Sequence, residues 1–270
     1  MADQKQNREI DTSAAEAFEK FLVPTIFGPW SEMMVKHAGT REGHQLLDIG
    51  CGSGAAARFA AKIVGVAGSV SAIDLNAGMI AHARTLDPGG LIDWDQGDLT
   101  DMPYDDGQFE IIVGNQVLQF LPHKKKGLNE IRRVMAKGGR LALTVYCSPK
   151  QNPAHAAVAN ALKVRGIDSK GVVHPFSYGD PMVLGDLLQD IGFRDISVIQ
   201  KQMNSHFQSA ENFVECLAAG GPSSRHALEQ LDAEGLKDLK NEVAKELEDF
   251  VDTDKGLRVI TTSHMALASA

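Results

Sequence analysis

Short apolar runs alternate with amphipathic stretches over the first half of the chain, and this alternation predicts strands and helices in turn. Five apolar runs have strand length, and helical patterns separate most of them. The predicted strands cover residues 45–49, 69–75, 91–96, 109–114 and 140–146. Because consecutive strands joined by helices pair in parallel, the pattern predicts an α/β protein with a mostly parallel sheet.

Two helices are predicted ahead of the first strand. Residues 13–16 (SAAE) form a capping-box pattern, and Pro24 is expected to end the helix that this box opens. The second helix is predicted from Pro29 to Gly39. Farther along the chain, the helix that precedes the fifth strand is expected to end at Gly138.

The pattern is less regular beyond residue 147. An insertion rich in proline and histidine occupies residues 148–178, and a helix at 182–191 precedes a sixth strand at 195–201. A helical insertion follows at about 209–251, where leucine, valine and phenylalanine recur at spacings of three and four. The last apolar run, 257–268, predicts a seventh strand.

Composition narrows the possible functions. A chain of 270 residues that is 43% hydrophobic is long enough for one large α/β domain with insertions. Its 27 basic and 35 acidic residues give a net charge of −8, which disfavours a nucleic-acid partner. The three cysteines are far apart and suggest neither disulfides nor a zinc site, so a reducing compartment is expected. No apolar run approaches the ~20 residues of a membrane span, and we expect a cytoplasmic protein.

The stretch LLDIGCGSGAAARFAA, residues 46–61, joins the first strand to a helix through a glycine-rich turn. Its GxGxxA spacing fits a loose dinucleotide fingerprint, so a nicotinamide-dependent oxidoreductase has to be considered. Asp48 opposes that interpretation, because a carboxylate would repel a pyrophosphate on this turn. Asp74 and Asp98 likewise follow the second and third strands. Three acids suit S-adenosylmethionine, which has no phosphate and carries a sulfonium and an ammonium group.

With these motifs the sequence resembles the class I S-adenosylmethionine-dependent methyltransferases. LLDIGCGSG matches the first motif of that family, SAIDLNAGMIAHAR its second strand, DWDQGDLTDMPYDDGQFEIIV its third and fourth strands, and EIRRVMAKGGRLALTV its fifth. The subgroup it resembles is type 11, which includes the bacterial ubiquinone and menaquinone C-methyltransferases. FLVPTIFGPW and GNQVLQFLP are similar to the cap helix of that subgroup and to the loop after its fourth strand.

The resemblance implies a Rossmann-like, doubly wound, seven-stranded, mostly parallel sheet with an N-terminal helical cap and helical insertions. It also implies a division of the chain. We expect a cap at 1–40, a cofactor-binding core at 41–147, a lid insertion at 148–180, and the C-terminal part of the core at 181–270 with its helical insertion at about 209–251.

Roles for individual residues follow from the same resemblance. Asp48 would orient the turn and hold the methionine ammonium, Asp74 would accept the ribose hydroxyls, and Asp98 would accept the adenine amino group. The remaining expected cofactor contacts are Gly50, Cys51, Gly52, Gly54, Leu75, Met79, Leu99, Asn115, Gln116 and Trp30. Each residue also has an ordinary structural interpretation, such as a tight turn, a helix cap or core packing.

The sequence leaves the catalytic base and the acceptor open. Methyl transfer from a sulfonium is an in-line displacement, and it does not always require a base. If the acceptor must lose a proton, His155 and His174 are the candidate bases. The loop after the fourth strand, VGNQVLQF, has no carboxylates, so we expect no metal. A small, hydrophobic metabolite is the expected acceptor, with oxygen and carbon equally plausible. A protein that binds S-adenosylmethionine without catalysis is a further alternative.

Overall fold

One mostly parallel sheet runs through the protein, whose computed structural model describes residues 10–221 and 223–270. Five parallel strands come first, and antiparallel strands complete the sheet. In chain order the strands of the described residues are β1 Gln45–Ile49, β2 Ser69–Asp74, β3 Ile92–Gln96, β4 Phe109–Asn115, β5 Met135–Tyr146, β6 Arg194–Phe207, β7 Val251–Asp252 and β8 Gly256–Ser269. Their spatial order is β3-β2-β1-β4-β5-β8-β6, and the two-residue β7 pairs with β8. The α/β class and the seven longer strands are as predicted from the sequence.

The order of the strands reverses beside β1. From β1 the chain moves outward through β2 to β3, and it then returns to place β4 on the other side of β1. Asp48 is paired with Ala72 of β2 and with Val113 of β4, so it lies in the centre of the parallel part. Ligands of open α/β sheets bind beyond the carboxyl ends of the strands at such a reversal.

Helices cover both faces of the sheet and its carboxyl edge. The α-helices are α1 Ser13–Ala17, α2 Gly28–His37, α3 Ala55–Val64, α4 Ala77–Thr85, α5 Lys124–Val134, α6 Pro153–Val164, α7 Lys170–Val173, α8 Pro181–Ile191, α9 Ala210–Gly220, α10 Arg225–Leu228 and α11 Ala233–Glu246. A π-helical segment, Phe18–Phe27, joins α1 to α2, and 3-10 turns lie at Gly65–Ala67, Leu118–Phe120, Pro149–Gln151, His174–Phe176 and Glu248–Phe250. None of the helices in the described residues has the length and hydrophobicity needed to cross a bilayer.

Three apolar clusters divide the core. Helices α2, α3 and α4 pack on one face of the sheet, and α5 and α8 pack on the other. The third cluster joins the π-helical segment to α6, α9 and α11. The stripe of α11 lies in this cluster, where Leu239, Val243 and Leu247 are buried, so it serves packing as predicted.

Strand β6 extends to Phe207, six residues beyond its predicted end at 201, whereas β8 lies where the last apolar run predicted it. Residues 263–269 of β8 pair with β5, but β6 and β8 continue their own pairing back to Phe207 and Leu257. This two-stranded extension packs under the cap: the indole N–H of Trp30 donates to Thr261 Oγ1 at 2.9 Å, and Ser205 Oγ donates to the carbonyl of Thr25. The extension therefore fixes the cap relative to the sheet.

Three helix boundaries differ from the sequence prediction. Pro24 does not end the first helix, because the chain continues through it as a π-helical segment in which the Gly28 N–H donates to the carbonyl of Val23. The N-cap of α1 is Thr12 rather than Ser13, and the predicted capping box does not form. Helix α5 ends at Val134, and β5 already begins at Met135, so Gly138 lies inside a strand.

Candidate functional site

A cavity of about 380 Å³ lies beyond the carboxyl ends of β1, β2 and β4, under the cap and the lid. This volume is in the range of pockets that hold small molecules or cofactors. Its lining falls into two parts. One part carries the glycine turn and the three acids, and the other consists of aromatic and aliphatic side chains from the cap, from β5 and from the insertion after β5.

The glycine turn exposes its backbone to the cavity at Gly50, Cys51 and Gly52. Gly52 has a φ of 55°, a conformation that favours glycine, and its N–H donates to Asp74 Oδ2 at 2.8 Å. Burial is the main cause that raises the pKa of the Cys51 thiol, so Cys51 is not a reactive thiolate.

Gly54 lies outside the cavity lining and has a different role from the one expected. It precedes α3 with a φ of 87°, and a Cβ at this position would overlap the indole ring of Trp94. The third glycine of the motif is therefore needed for packing between the turn and β3.

Asp48 is buried at the end of β1 and lines the cavity. Its Oδ2 accepts a hydrogen bond of 2.9 Å from the N–H of Ala57 in the first turn of α3. Burial raises the pKa of this carboxyl to about 7; the Asp74 carboxylate adds to the rise, and the Ala57 hydrogen bond opposes it. A cationic ligand would favour the ionised form, so the site is suited to an ammonium group.

Asp74 ends β2 and accepts backbone hydrogen bonds through both oxygens. Oδ2 binds the Gly52 N–H, and Oδ1 accepts from the N–H of Asn76 at 2.8 Å. Burial raises its pKa, while these backbone hydrogen bonds oppose the rise. Asn76 caps α4 as its position predicts, since its Oδ1 accepts from the N–H groups of Gly78 and Met79. Each carboxylate oxygen keeps a further lone pair for a ligand.

The other residues expected around an adenosine lie together along the cavity. Leu75, Met79, Asp98 and Leu99 all contribute to its lining. Asp98 is exposed, and its Oδ1 accepts from the N–H of Thr100 at 2.8 Å, which lowers its pKa. The carboxylate thus also caps the turn that follows β3, which was the structural alternative for this residue.

The cap supplies two neighbouring phenyl rings, tilted by 51° to each other, but not the tryptophan that we expected. The rings of Phe18 and Phe27 line the cavity with centroids 4.7 Å apart. Trp30 is only 1% exposed, points to Thr261, and lies outside the lining, so its expected cofactor contact is not found. Its position in the amphipathic pattern of α2 fits this core role.

A polar link between the cap and the glycine turn was missed in the sequence. Glu19 of the π-helical segment accepts from Ser53 Oγ at 2.6 Å and pairs with the Arg58 guanidinium at 2.7 Å. Arg58 also donates to the carbonyl of Ser53. Ser53 and Arg58 lie 34 and 39 positions from Glu19, so no local pattern could have revealed the link.

The end of β4 contributes two amide side chains that are held in place by hydrogen bonds. Asn115 Nδ2 donates to the Phe27 carbonyl and to Ser31 Oγ, at 3.1 Å and 3.0 Å. Gln116 has a φ of 56°, unusual for a residue with a side chain, and its Nε2 donates to Ser263 Oγ at 2.9 Å. Both residues line the cavity.

Of the two candidate bases, only His155 lines this cavity. It lies on α6 with its ring packed between Tyr146, Phe176 and Phe213, at centroid distances of 5.8, 5.5 and 5.2 Å. Burial lowers the pKa of His155 to about 4, so its ring is neutral at physiological pH. His174 does not line the cavity. It lines an adjoining open depression with Lys170, and this depression shares Phe120 and Ser223 with the cavity wall.

Two aromatic residues of the apolar part of the lining were not singled out in the sequence. Tyr146 is the last residue of β5, and Phe176 lies in the 3-10 turn of the insertion, with their rings 5.0 Å apart. The position of Tyr146 at a strand end was the available signal. In the part of the chain that the structure describes, no group of three histidine, cysteine or acidic side chains could hold a metal ion.

Comparison with known proteins agrees with this geometry. Residues 47–143 match the family model described as a methyltransferase domain. The chain is 33% identical over 118 residues to a 2-phytyl-1,4-naphtoquinone methyltransferase from Synechococcus elongatus, covering 42% of this chain and 51% of the relative. It is 33% identical over 133 residues to a ubiquinone/menaquinone biosynthesis C-methyltransferase from Ectopseudomonas mendocina, covering 48% and 52%. The chain thus spans about half the length of the curated relatives it matches.

Solved structures with low sequence identity share the fold over most of the chain. A putative methyltransferase from Bacillus halodurans superimposes with a TM-score of 0.58 at 21% identity, covering 88% of this chain and 97% of the other. A phosphoethanolamine N-methyltransferase from Haemonchus contortus, in complex with S-adenosylhomocysteine, gives a TM-score of 0.61 at 17% identity, covering 99% and 58%. Fold, glycine turn and sequence match agree: residues 47–143 match a methyltransferase domain, and about half of the chain is similar to the quinone methyltransferases named above.

Proposed function

We propose that this protein transfers a methyl group from S-adenosylmethionine to a small, hydrophobic acceptor. The observation that carries the proposal is the two-part lining of one cavity. The acids Asp48 and Asp74 lie at one end, and the rings of Tyr146, His155 and Phe176 lie at the other. A cofactor with a positive charge and an apolar acceptor can therefore occupy the same enclosed space.

At the cofactor end the roles follow from the charges and the backbone. We assign Asp48 to the ammonium group and Asp74 to the ribose hydroxyls, with Met79, Asp98 and Leu99 beside the adenine. The bound sulfonium supplies an activated methyl group. A pyrophosphate would meet two carboxylates on this turn, which opposes a dinucleotide cofactor.

At the acceptor end the protein supplies shape and exclusion of water. The cap residues Phe18 and Phe27 and the lid residues Val172 and Phe176 lie on the cavity wall. An acceptor enclosed by these residues would be desolvated and aligned with the methyl group, and such positioning can contribute up to ~7–11 kcal/mol to lowering a barrier.

The class of acceptor is proposed from the lining and from the relatives. Among the described lining residues there is no lysine or arginine, so the cavity wall offers no fixed positive charge to a phosphate or a carboxylate. One relative is named as a 2-phytyl-1,4-naphtoquinone methyltransferase and another as a C-methyltransferase of ubiquinone/menaquinone biosynthesis. An apolar, planar acceptor that is methylated on carbon or oxygen fits both observations.

A transfer assay with S-adenosylmethionine labelled in its methyl group tests the proposal. The purified protein is incubated with a panel of quinols, phenols, amines and thiols, and label is measured in the organic extract. We expect label in one or more apolar acceptors and none without protein. If S-adenosylhomocysteine binds but no acceptor of any class is labelled, the protein is a binding protein and the proposal is wrong.

A further inference from the structure

His155 has the environment of a proton acceptor rather than of a core residue. It lines the cavity, yet within residues 10–221 and 223–270 its buried Nδ1 has no hydrogen-bond partner. Most buried polar atoms in proteins are paired, and an unpaired one calls for an explanation. Because Nδ1 is enclosed by protein, a ligand in the cavity meets the ring at Nε2, for which the described residues provide no hydrogen-bond partner either.

The neighbours of His155 define what this ligand can be. Its ring touches Tyr146, Phe176 and Phe213, which present flat apolar faces. Tyr146 adds a hydroxyl that lines the same cavity, and burial raises the pKa of that hydroxyl, so it stays protonated and can donate a hydrogen bond. A planar molecule with an oxygen substituent matches this set of groups.

Resting on the proposed function, we propose that the acceptor is an aromatic or enolic hydroxyl compound and that His155 is the catalytic residue that takes the hydroxyl proton. As the O–H proton moves to a ring nitrogen of His155, the electron pair of the oxygen, or of the ring carbon conjugated with it, forms the bond to the methyl carbon. The carbon–sulfur bond breaks and its electrons stay on sulfur. After oxygen attack the imidazolium releases its proton to solvent. After carbon attack the ring C–H proton is lost and the oxygen regains a proton, so that one proton is released overall in either case.

The charges in the cavity are consistent with this step. Burial keeps His155 neutral before the acceptor binds, with its pKa at about 4. A phenolate formed beside the ring offsets that effect, because an opposite charge favours the imidazolium. The other titratable groups that line the cavity are Cys51, Tyr146, His123 and the carboxylates of Asp48, Asp74 and Asp98.

His155→Phe is the informative variant, because phenylalanine keeps a planar ring in the aromatic cluster and removes the base. At saturating S-adenosylmethionine and pH 7 we expect kcat to fall by about 10²- to 10⁴-fold, with the Kd for S-adenosylhomocysteine unchanged. The loss should shrink as the pH rises toward the pKa of the acceptor hydroxyl, and it should be smaller for acceptors with more acidic hydroxyls. His206→Phe, at an exposed position of β6 outside the cavity lining, should behave as wild type.

His155→Gln provides a second, polar variant if the phenylalanine variant melts early, and it should show the same dependence on acceptor acidity. A loss that is equal at every pH and for every acceptor would mean that His155 only supports the fold, and wild-type kcat in both variants would mean that it has no role. Mass spectrometry of the product separates oxygen from carbon methylation, and either product supports the proposal. Transfer only to amines or thiols would overturn it and leave methyltransferase activity standing.

Discussion

The affinity for S-adenosylhomocysteine should depend on pH through Asp48. Burial raises the pKa of this carboxyl to about 7, so close to neutral pH it is only partly ionised in the free protein. The ammonium group of the ligand pairs with the ionised form, and at lower pH binding must therefore release a proton. Because the ionised fraction grows with pH, affinity should increase as the pH rises through 7.

The magnitude follows from that pKa. A carboxyl with a pKa of about 7 is roughly 9% ionised at pH 6 and roughly 91% ionised at pH 8, so the Kd should be about tenfold larger at pH 6. This ratio corresponds to about 1.4 kcal/mol. Asp48→Asn removes the titrating group, and its Kd should be larger at pH 8 by about 1.5–3 kcal/mol of lost charge-assisted binding, with little dependence on pH.

Isothermal titration calorimetry from pH 6 to pH 8, repeated in buffers of different ionisation enthalpy, measures both the affinity and the proton release. Asp98→Asn is the matched control, because the pKa of Asp98 is lowered and its titration falls well outside this range. That variant should keep the pH dependence of the wild type. A flat profile in the wild type, or an unchanged slope in Asp48→Asn, would refute the assignment of Asp48 to the ammonium group.

Three further expectations concern other parts of the site. Asp74→Ala should weaken S-adenosylhomocysteine binding by roughly 2–4 kcal/mol, about thirty- to a thousandfold in Kd, because two charge-assisted hydrogen bonds are lost. Calorimetry measures this Kd, and an unchanged value would contradict the assignment of Asp74 to the ribose. Turnover should be the same with EDTA and with added magnesium, since the β4 loop has no carboxylates to hold a metal; loss of turnover in EDTA that magnesium restores would contradict this. Trp30→Phe should lower the free energy of unfolding by about 1–3 kcal/mol in urea titrations, because Thr261 loses its buried hydrogen-bond partner. The Kd for S-adenosylhomocysteine should stay unchanged. Weaker binding of S-adenosylhomocysteine with normal stability would instead show that Trp30 contacts the ligand.

Much of the cofactor end could be predicted because its residues lie next to one another in the sequence or at strand ends. The glycine turn, Asp48 and Asp74 each follow a short apolar run, and the parallel sheet brings those ends together. The bounds of β1, Gln45–Ile49, were predicted to the residue. This strand lies between β2 and β4 in the sheet and is buried, so its sequence is a clear apolar run.

The acceptor end was less predictable, because contacts between distant segments build it. Trp30 was expected in the cavity from its position in the cap, but the extension of β6–β8 supplies Thr261 as a partner on the opposite side. Pro24 was expected to end a helix, yet the wider π-helical turn accommodates it, and the Thr25 hydroxyl donates to the carbonyl of Phe21 there. Neither the Thr261 contact nor the π-helical turn can be recognised from the residues next to it in the sequence.

Binding of S-adenosylhomocysteine itself tests the central claim most directly. A calorimetric titration of the wild-type protein, with NAD titrated in parallel, should show one site of micromolar or tighter affinity for S-adenosylhomocysteine and no comparable site for NAD. The bound ligand should also raise the melting temperature, because it binds the native state alone. Saturable binding of NAD without any binding of S-adenosylhomocysteine would contradict the account of the glycine turn and its acids.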